Sequence, residues 1–504
     1  MKGFDPRQWP AEQIALAVLA SILLCGLPFF VHPWYDATHG DAATYIQTAR
    51  SMVAGEGYSH LGLAFHLRPP GFAALIAPVI GLFDVHFLLL NLYVGLISSV
   101  GIVFLFLYLR TYLGWPIAFL LAIACWLNPF YQRMASQVMA EAPGITFILA
   151  ALLVERWSKR SPSLGREIVL AVSIVAACYV RSIAMLLVPA ILLSRVLAQM
   201  LGDTEQRSWR SFLANRIALL TALVALGLLP WTLRNAAVML DPPADQTQAW
   251  SYATGMFHID AGDPNSLRVP ASEIVARIPE NAKKIVSLLG SRFERSDPDF
   301  ASVGLASLAG IGLLLAAWRR RAPAEFFVIG VLASLVAYYD FRNRLLLPVF
   351  VLMLPAAIEL LRDLARRIAG TRIAEALCCA VVVLLVIVDA SPRKHWNEIA
   401  KQHGDLFAIC SVIEARLAPD ARLASPFNWH YGVCLDRPVF SLWFNVKRNH
   451  GRLSSSEETI DKYGINTVVL GRTRQFDRRF LAYFENRYGR DTREGPVALI
   501  RVRD

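Results

Sequence analysis

The chain has 504 residues, of which 55% are hydrophobic and only 18% are charged, and its formal net charge is +11. A soluble protein of this length usually carries about a quarter charged residues, so the composition excludes an ordinary soluble protein. Apolar runs of about twenty residues recur along the chain. They predict an all-α polytopic membrane protein, because a helix satisfies its own backbone within a lipid bilayer.

These runs predict roughly eleven transmembrane helices. We expect them at about residues 11–31, 87–109, 115–130, 135–154, 167–181, 183–199, 216–235, 301–317, 324–340, 344–361 and 373–389. The first run is followed by no small-residue cleavage pattern, so it is expected to remain as a span. The run from Gly71 to Phe83 is too short to cross and is expected to be a re-entrant or interfacial helix.

Basic residues fall mainly in alternate loops, and this asymmetry sets the predicted orientation. Clusters of arginine and lysine occupy loops at residues 156–166, 195–216, 319–321 and 362–372. By the positive-inside rule this side is cytoplasmic, with the N-terminus inside and the C-terminal region extracytoplasmic. The net charge is therefore a topology signal. No basic face with interleaved aromatic side chains indicates nucleic-acid binding.

Two domains are expected. Residues 1–390 form the transmembrane domain, with outer loops at 32–86 and 236–300, and the segment from Asp241 to Phe300 is predicted to be a polar loop. Residues 391–504 form a small extracytoplasmic α/β domain. Its predicted elements are helices at Asp405–Leu417 and Asp477–Tyr488 and strands at Thr467–Leu470 and Val497–Val502.

Cysteine placement agrees with this layout. Cys410 and Cys434 are the only cysteines in the predicted extracytoplasmic domain, a compartment that permits disulfides. Either they form a disulfide or Cys410 is a core thiol of its helix, and the sequence leaves both open. No spacing of cysteine and histidine matches a zinc site, so no metal is assigned.

The first outer loop carries the densest set of chemical groups near the start of the chain. Its segment from Asp41 to Ala54 has an apolar stripe that includes Tyr45, which predicts an amphipathic helix lying on the membrane surface. Gly55 and Gly57 are expected to end this helix. Asp41 then lies beside the positive end of the helix, at the boundary between water and lipid.

Charged side chains also gather at the outer ends of several predicted spans. A charge near a span costs on the order of 2.5–3.5 kcal/mol, so such groups are expected to be paired or functional. Several arginines with two or three carboxylates around one cavity indicate an anionic ligand, and a phosphate matches guanidinium groups best. The residues concerned are Asp41, His66, Arg68, Arg133, Glu141, Arg181, Arg234, Asp340, Arg342 and Arg344.

Several motifs, in this order, resemble those of the bacterial GT-C fold membrane glycosyltransferases. This class is related to the dolichyl-phosphate-mannose protein mannosyltransferases and to the lipid A aminoarabinose transferase. The resemblance covers nearly the whole chain, and each motif is weak alone. The motifs are Asp41 in the first outer loop, RPPGF at Arg68–Phe72, ASQVMAEAP at Ala135–Pro143, PWTLRN at Pro230–Asn235, RNRLLLPVFVLMLPA at Arg342–Ala356, and the closing KYGINTVVL and VALIRV.

The resemblance implies a multi-pass protein of the bacterial inner membrane that uses a polyprenyl-phosphate-linked sugar donor. It implies inverting transfer to a lipid, glycan or protein acceptor, with the first-loop acid Asp41 catalytic on the extracytoplasmic face. The second acidic position is a single Glu141, without a neighbouring acid, so the motif favours a metal-independent site and implies no cofactor. Products of this class belong to cell-envelope glycans such as lipopolysaccharide.

The chemistry assigns a role to each candidate. Asp41 is suited to take the proton of the acceptor hydroxyl, and inversion needs only one such carboxylate. Glu141 is the second catalytic candidate. Arginines stabilise charge on the departing phosphate. The phosphate-binding candidates are Arg68, Arg181, Arg234, Arg342 and Arg344, and the substrate-contact candidates are Tyr45, His66 and Asp340.

Simpler roles remain open for most of these residues. Asp41 is also a suitable helix N-cap, and Glu141 is also suited merely to pair with Arg133. Arginines at span ends often anchor lipid headgroups, which is the alternative for Arg342 and Arg344 in particular. His66 and Tyr45 are suited to structural roles.

Two other functions use similar features. A polysaccharide ligase or polymerase also takes lipid-linked donors, but it is expected to have its largest outer loop between late spans and no α/β tail. A secondary transporter would place its charges near the middle of the membrane and show paired repeats, neither of which the sequence has. A non-catalytic scaffold leaves the arginine cluster unexplained.

Overall fold

A computed structural model describes residues 9–37, 40–161, 163–201, 217–240, 256–259, 266–293, 299–339, 342–389, 394–442, 453–471, 475–489, 491 and 495–502. Its helices in chain order are α1 (Trp9–Phe30), α2 (Gly40–Val53), α3 (Gly71–Phe83), α4 (Phe87–Leu109), α5 (Trp115–Leu127), α6 (Pro129–Ala135), α7 (Glu141–Arg160), α8 (Leu164–Val180), α9 (Leu187–Met200), α10 (Ile217–Leu240), α11 (Ala271–Gly290), α12 (Phe300–Arg320), α13 (Pro323–Val336), α14 (Leu347–Asp389), α15 (Lys394–Glu414), α16 (Asn428–Cys434), α17 (Ser456–Tyr463) and α18 (Gln475–Tyr488). The strands are β1 (Ser59–His60), β2 (Leu63–Ala64), β3 (Leu423–Ser425), β4 (Val439–Ser441), β5 (Thr467–Gly471) and β6 (Val497–Arg501).

The polytopic helical fold predicted from the apolar runs is confirmed. Every predicted span falls on a helix, and within the described ranges six helices are long and apolar enough to cross a membrane. Helix α7 lies between α4 and α8, while α14 packs on α5 and α12. The predicted spans at 344–361 and 373–389 form the two halves of α14, which Gly370 breaks with a left-handed φ of 79°.

One predicted span is wrong at its beginning. The stretch 135–154 was expected to be continuous, but α7 begins only at Glu141. Residues 136–140 are not helical, and residues 129–135 form the separate short helix α6, which the Asn128 side chain caps by accepting from the amides of Phe130 and Tyr131. The break places Glu141 in the first turn of a helix, where backbone N–H groups favour a carboxylate.

The predicted polar loop from Asp241 to Phe300 is also wrong in part. Residues 271–290 form α11, whose Ile285, Leu288 and Leu289 are buried. Asn281 fastens it by donating to the carbonyls of Val336 (3.0 Å) and Tyr338 (2.7 Å). Pro279 lies within this helix, and a proline inside a helical pattern argues against a helix in a sequence. The rest of this segment lies largely outside the described residues.

The helix predicted after Asp41 is present as α2, and Gly55 and Gly57 end it with φ values of 78° and 72°. Its apolar stripe, which was predicted to face the membrane surface, is covered by protein instead. Residues Asp41 to Ile46 are all buried, because α3 covers one face of α2 and α16 covers another. Hence α2 is an internal helix between the bundle and the C-terminal part of the chain.

The C-terminal part contains the predicted small α/β structure. Its sheet has the order β4-β3-β5-β6, with β3 parallel to both neighbours and β6 antiparallel to β5. The two predicted strands correspond to β5 and β6, and the two predicted helices overlap α15 and α18. Strands β3 and β4 and helices α16 and α17 are short and were not predicted. A disulfide joins Cys410 on α15 to Cys434 on α16, which decides between the two alternatives for these cysteines.

Candidate active site

Five charged residues meet at one end of the helical bundle, on the side where the C-terminal part packs. We call Asp41, Glu141, Arg68, Arg181 and Arg344 the site cluster. Asp41 lies in the first turn of α2 and Glu141 in the first turn of α7. The arginines come from the loop before α3, the end of α8 and the 3₁₀ turn before α14. The site is therefore assembled from segments far apart in the sequence.

Two arginines hold Asp41. Arg68 Nη2 contacts its Oδ1, and Arg344 Nη2 contacts its Oδ2. Each carboxylate oxygen thus lies on a guanidinium group, which is more than a helix cap requires. The short loop that carries Arg68 is fixed by Gly71, because a Cβ at this position would lie 2.5 Å from the carbonyl carbon of Tyr179.

Glu141 is the most buried member of the site cluster, with 1% of its side chain exposed. Arg181 Nη2 lies 2.9 Å from Glu141 Oε1, and Arg344 Nε lies 3.3 Å from the same oxygen. Gly144, one turn further along α7, leaves the space that the Arg181 side chain occupies: a Cβ there would lie 3.1 Å from Arg181 Cδ. Arg344 therefore bridges the two carboxylates.

The exposed fraction of the arginine side chains increases from Arg181 through Arg344 to Arg68. It is 6% for the Arg181 side chain, 14% for Arg344 and 28% for Arg68. Among the described residues, buried Arg344 Nη1 and buried Glu141 Oε2 have no hydrogen-bond partner. Within these five described residues, three guanidinium groups face two carboxylates, so the cluster as defined has one more cation than anions. It can accept an anion that approaches from the Arg68 side.

Tyr45 lies beside the exposed edge of the cluster. Its ring packs edge-on against Phe72, with centroids 4.7 Å apart, and the Arg68 guanidinium carbon lies 5.9 Å from its centroid. Burial raises the pKa of Tyr45 to about 12, with Arg68 acting in the opposite direction, so the hydroxyl stays protonated at neutral pH.

Arg234 is placed differently from the arginines of the cluster. Its guanidinium donates to the backbone carbonyls of Phe65 and Tyr58, both at 2.6 Å, and stacks near the rings of Tyr58 and Trp231. Tyr58 in turn donates through its hydroxyl to the Arg68 carbonyl at 3.1 Å. Arg234 therefore fastens the loop that presents Arg68.

Two of the remaining predicted site residues lie in the segments that carry Arg68 and Arg344. His66 is half-buried in the loop before Arg68, and Arg342 is exposed just before the 3₁₀ turn that carries Arg344. Asp340 lies outside the described residues. Within the described ranges, no three His, Cys, Asp or Glu side chains come together as metal ligands would.

One buried ion pair near the site was not predicted. Arg133 donates to Asp36 Oδ2 through Nη2 at 2.8 Å and through Nε at 3.2 Å. Glu141 forms its own ion pairs with Arg181 and Arg344, so the alternative that Glu141 serves only to pair Arg133 is wrong. The available signal in the sequence was that Asp36 lies in the same predicted outer loop as Asp41.

Comparison with known proteins gives a fold but no sequence relative. No description of a known protein family matches the chain, and no curated protein sequence matches it. A solved structure of ArnT from Cupriavidus metallidurans bound to undecaprenyl phosphate is similar over 96% of this chain and 97% of that chain, with a TM-score of 0.63 and 12% identity. The apo oligosaccharyltransferase of Archaeoglobus fulgidus is similar over 92% of this chain and 70% of its own, with a TM-score of 0.54 and 13% identity.

The chain therefore has the GT-C fold of polytopic membrane glycosyltransferases, as predicted from its motifs. ArnT is the lipid A aminoarabinose transferase, one of the two enzyme types that the sequence resembles. The similarity to ArnT extends over nearly the full length of both chains, so it includes the C-terminal part as well as the helical bundle.

Proposed function

We propose that the protein transfers a sugar from a polyprenyl-phosphate-linked donor to an acceptor hydroxyl on the extracytoplasmic face of a bacterial inner membrane. The observation that carries this proposal is the site cluster, with two carboxylates bridged by arginines and one excess positive charge. The donor phosphodiester has one negative charge, so the cluster becomes neutral when the donor binds. The structural likeness to ArnT, solved with undecaprenyl phosphate, supports a lipid-phosphate ligand.

The proposed reaction is a single displacement. The acceptor oxygen attacks the anomeric carbon, the bond from this carbon to the phosphate oxygen breaks, and the configuration inverts. The acceptor proton passes to Asp41, and polyprenyl phosphate leaves with one additional negative charge. Because Asp41 loses its charge as the leaving phosphate gains one, the site stays neutral throughout. No general acid is needed, since the leaving group is already a stable phosphate.

The arginines have two tasks in this mechanism. Arg68 and Arg344 hold Asp41 when the donor is absent and turn toward the phosphate when it binds, which frees Asp41 to accept a proton. Arg181 stays on Glu141, and Glu141 orients Arg344. Arg234 supports the loop of Arg68, and Tyr45 and His66 border the sugar.

Transfer by the purified protein tests this proposal. The protein in nanodiscs is incubated with undecaprenyl-phosphate-linked sugars, and release of undecaprenyl phosphate is followed by mass spectrometry. We expect release with one sugar class and inverted anomeric configuration in the product. Comparison of glycolipids and surface glycans from cells with and without the protein identifies the acceptor. Retained configuration, or neither turnover nor binding of undecaprenyl phosphate, would contradict the proposal.

Labelling tests the proposed orientation. Gly165, at the start of α8, and Gly404, on α15, are both exposed, and a Cβ at either meets nothing within 4 Å. They are therefore a matched pair for single cysteine substitutions. In intact cells an impermeant thiol reagent should label Gly404→Cys and leave Gly165→Cys unlabelled until the cells are opened. The reverse pattern would place the site cluster on the cytoplasmic face.

A further inference from the structure

The short helix α16 of the C-terminal part packs directly on α2, the helix that carries Asp41. The Trp429 ring lies against Gly40, the residue immediately before Asp41, and a Cβ at Gly40 would overlap this ring. Gln47 Nε2 donates to the Trp429 carbonyl at 3.0 Å. A Cβ at Gly432 would lie 2.5 Å from Gln47 Nε2. The two helices therefore meet at the first turn of α2 and again in its middle.

Two polar contacts extend this junction. The Tyr35 hydroxyl lies 2.7 Å from His430 Nδ1, which ties α16 to the chain just before α2. Arg50 Nη1 lies 2.5 Å from Asp436 Oδ1, which ties the end of α2 to the residues after α16. Both ends of α2 are thus fastened to the same small segment.

That segment is itself held by a covalent bond. Cys434, the last residue of α16, is joined to Cys410 on α15, and Cys410 is buried in the core. Helix α16 has seven residues, and a helix this short is not stable without contacts to the rest of the protein. The disulfide and the packing of α15 therefore fix where Trp429 presses on α2.

We propose that α16 is the positioning element of Asp41, with Trp429 as its contact residue and the Cys410–Cys434 disulfide as its anchor. This inference rests on the proposed function, because it takes Asp41 to be the general base. A displacement of a catalytic group by about 1 Å costs on the order of 10²-fold in rate. Loss of the junction should therefore lower kcat and leave the donor KM nearly unchanged, since α16 does not contribute to the arginine side of the cluster.

A double-mutant cycle tests the contact itself. Gly40→Ala inserts a methyl group where the Trp429 ring lies, and Trp429→Leu removes that ring. Each single variant should lower kcat by about 10- to 100-fold. The combination Gly40→Ala with Trp429→Leu should recover much of the loss of Gly40→Ala, because the smaller side chain makes room. Additive losses in the combined variant would overturn the proposal, as would unchanged kcat in both single variants.

The disulfide anchor is tested in the same kinetic assay, together with a control variant. Cys410→Ser with Cys434→Ser should lower kcat in the same way, and Trp429→Phe should restore most of the activity that Trp429→Leu loses. Phe484→Leu is the control, because Phe484 lies in a separate hydrophobic cluster around the sheet. It should lower the stability of the C-terminal part without changing kcat. If Phe484→Leu lowered kcat as much as Trp429→Leu does, the effect of α16 would come from folding of the C-terminal part and not from positioning of Asp41.

Hydrogen exchange of the α2 amides gives a readout that does not depend on catalysis. Exchange within residues 40–53 should accelerate in Trp429→Leu and in the double serine variant, and it should not change in Phe484→Leu. Unchanged exchange in the first two would refute the positioning role. If exchange in α2 accelerates in these variants but the wild-type protein turns over no donor, the proposed function is contradicted. The structural coupling between α16 and α2 is then still supported.

Discussion

Helix α7 carries a buried ionic cluster at each end, and the two clusters differ in how completely they are satisfied. Glu141 belongs to the site cluster, and Glu155 lies about 20 Å further along the helix. We call Glu155, Glu167, Arg195 and Lys159 the Arg195 cluster. In both clusters one arginine bridges two carboxylates. Arg344 bridges Asp41 and Glu141, and Arg195 bridges Glu155 and Glu167.

The Arg195 cluster is closed. Arg195 donates to Glu155 at 2.7 and 3.2 Å and to Glu167 at 3.0 and 3.3 Å, using all three of its guanidinium nitrogens. Ser158 donates to Glu167 at 2.8 Å, and Lys159 Nζ lies 3.4 Å from Glu155. Two cations balance two carboxylates. The site cluster instead has a surplus cation, a guanidinium nitrogen without a partner among the described residues, and an exposed edge at Arg68.

The difference between the two clusters separates structural ion pairs from a candidate binding site within one membrane protein. A buried charge costs several kcal/mol unless it is paired, so a cluster that serves only the fold should be balanced and saturated. The Arg195 cluster meets this description. The site cluster leaves a guanidinium nitrogen without a partner among the described residues, as expected of a site for the proposed phosphate ligand.

The largest expected difference concerns turnover. Arg344→Leu removes the bridge of the site cluster, and we expect kcat to fall by about 10²–10³-fold, as for the loss of a charge-stabilising donor. Arg344→Lys keeps the charge but loses the planar fork, so it should remain impaired. The measurement is donor turnover in nanodiscs. Turnover in Arg344→Leu that equals that of the wild type would remove the distinction between the two clusters.

The matched substitution in the other cluster should act on stability. Arg195→Leu leaves two buried glutamates without their bridge, which should lower the free energy of unfolding by about 3–5 kcal/mol. Unfolding in mixed micelles measures this loss, and kcat per folded molecule should match the wild type. If Arg195→Leu instead abolishes turnover in fully folded protein, the Arg195 cluster also takes part in function.

A smaller effect is expected from pH in the loop that carries Arg68. His60 is fully buried there, and burial lowers its pKa to about 4, from about 6.5 in an unfolded chain. The unfolded state therefore binds the proton first, so stability is complete above about pH 6.5 and falls as the pH is lowered toward 4. The loss should reach about 3 kcal/mol.

The variant His60→Phe isolates this effect from the titration of carboxylates elsewhere. Thermal denaturation in detergent should show the wild type losing stability relative to His60→Phe between pH 6.5 and 4. A constant difference between the two proteins over this range would show that His60 does not titrate in the folded state as its burial requires.

The sequence predicted the parts of this molecule that depend on local pattern. Apolar runs predicted the helices, and the positions of Asp41, Glu141, Arg68, Arg181 and Arg344 at the outer ends of predicted spans placed them together. Three-residue strands such as β3 have too few residues for an alternating pattern. Helix α11 was missed because it contains Pro279, and a proline inside a sequence segment argues against a helix.

Long-range contacts account for the other differences. Helix α16 packs on α2, which brings residues near 40 and residues near 430 together. The pattern of apolar residues in either segment does not predict this contact. An apolar stripe looks the same whether lipid or protein covers it, so α2 was predicted to lie on the membrane. The ion pair of Asp36 with Arg133 was not predicted because it joins residues 97 positions apart in the sequence. Whether an arginine at a span end binds backbone, as Arg234 does, or a carboxylate, as Arg344 does, depends on the same kind of contact.

The role of Asp41 as general base is tested most directly by comparing it with Asp36, the other aspartate of the loop between α1 and α3 that pairs with arginine. Both Asp41 and Asp36 are buried and paired with arginine, but only Asp41 belongs to the site cluster. Asp41→Asn keeps the shape of the side chain, and it removes the carboxylate charge that would accept the proton and that pairs with Arg68 and Arg344. We expect it to bind undecaprenyl phosphate at least as tightly as the wild type and to lose about 10²–10⁴-fold in turnover. Asp36→Asn should stay within a few-fold of the wild type in turnover per folded molecule. Near-normal turnover in Asp41→Asn would contradict the account and make Glu141 the next candidate for the base.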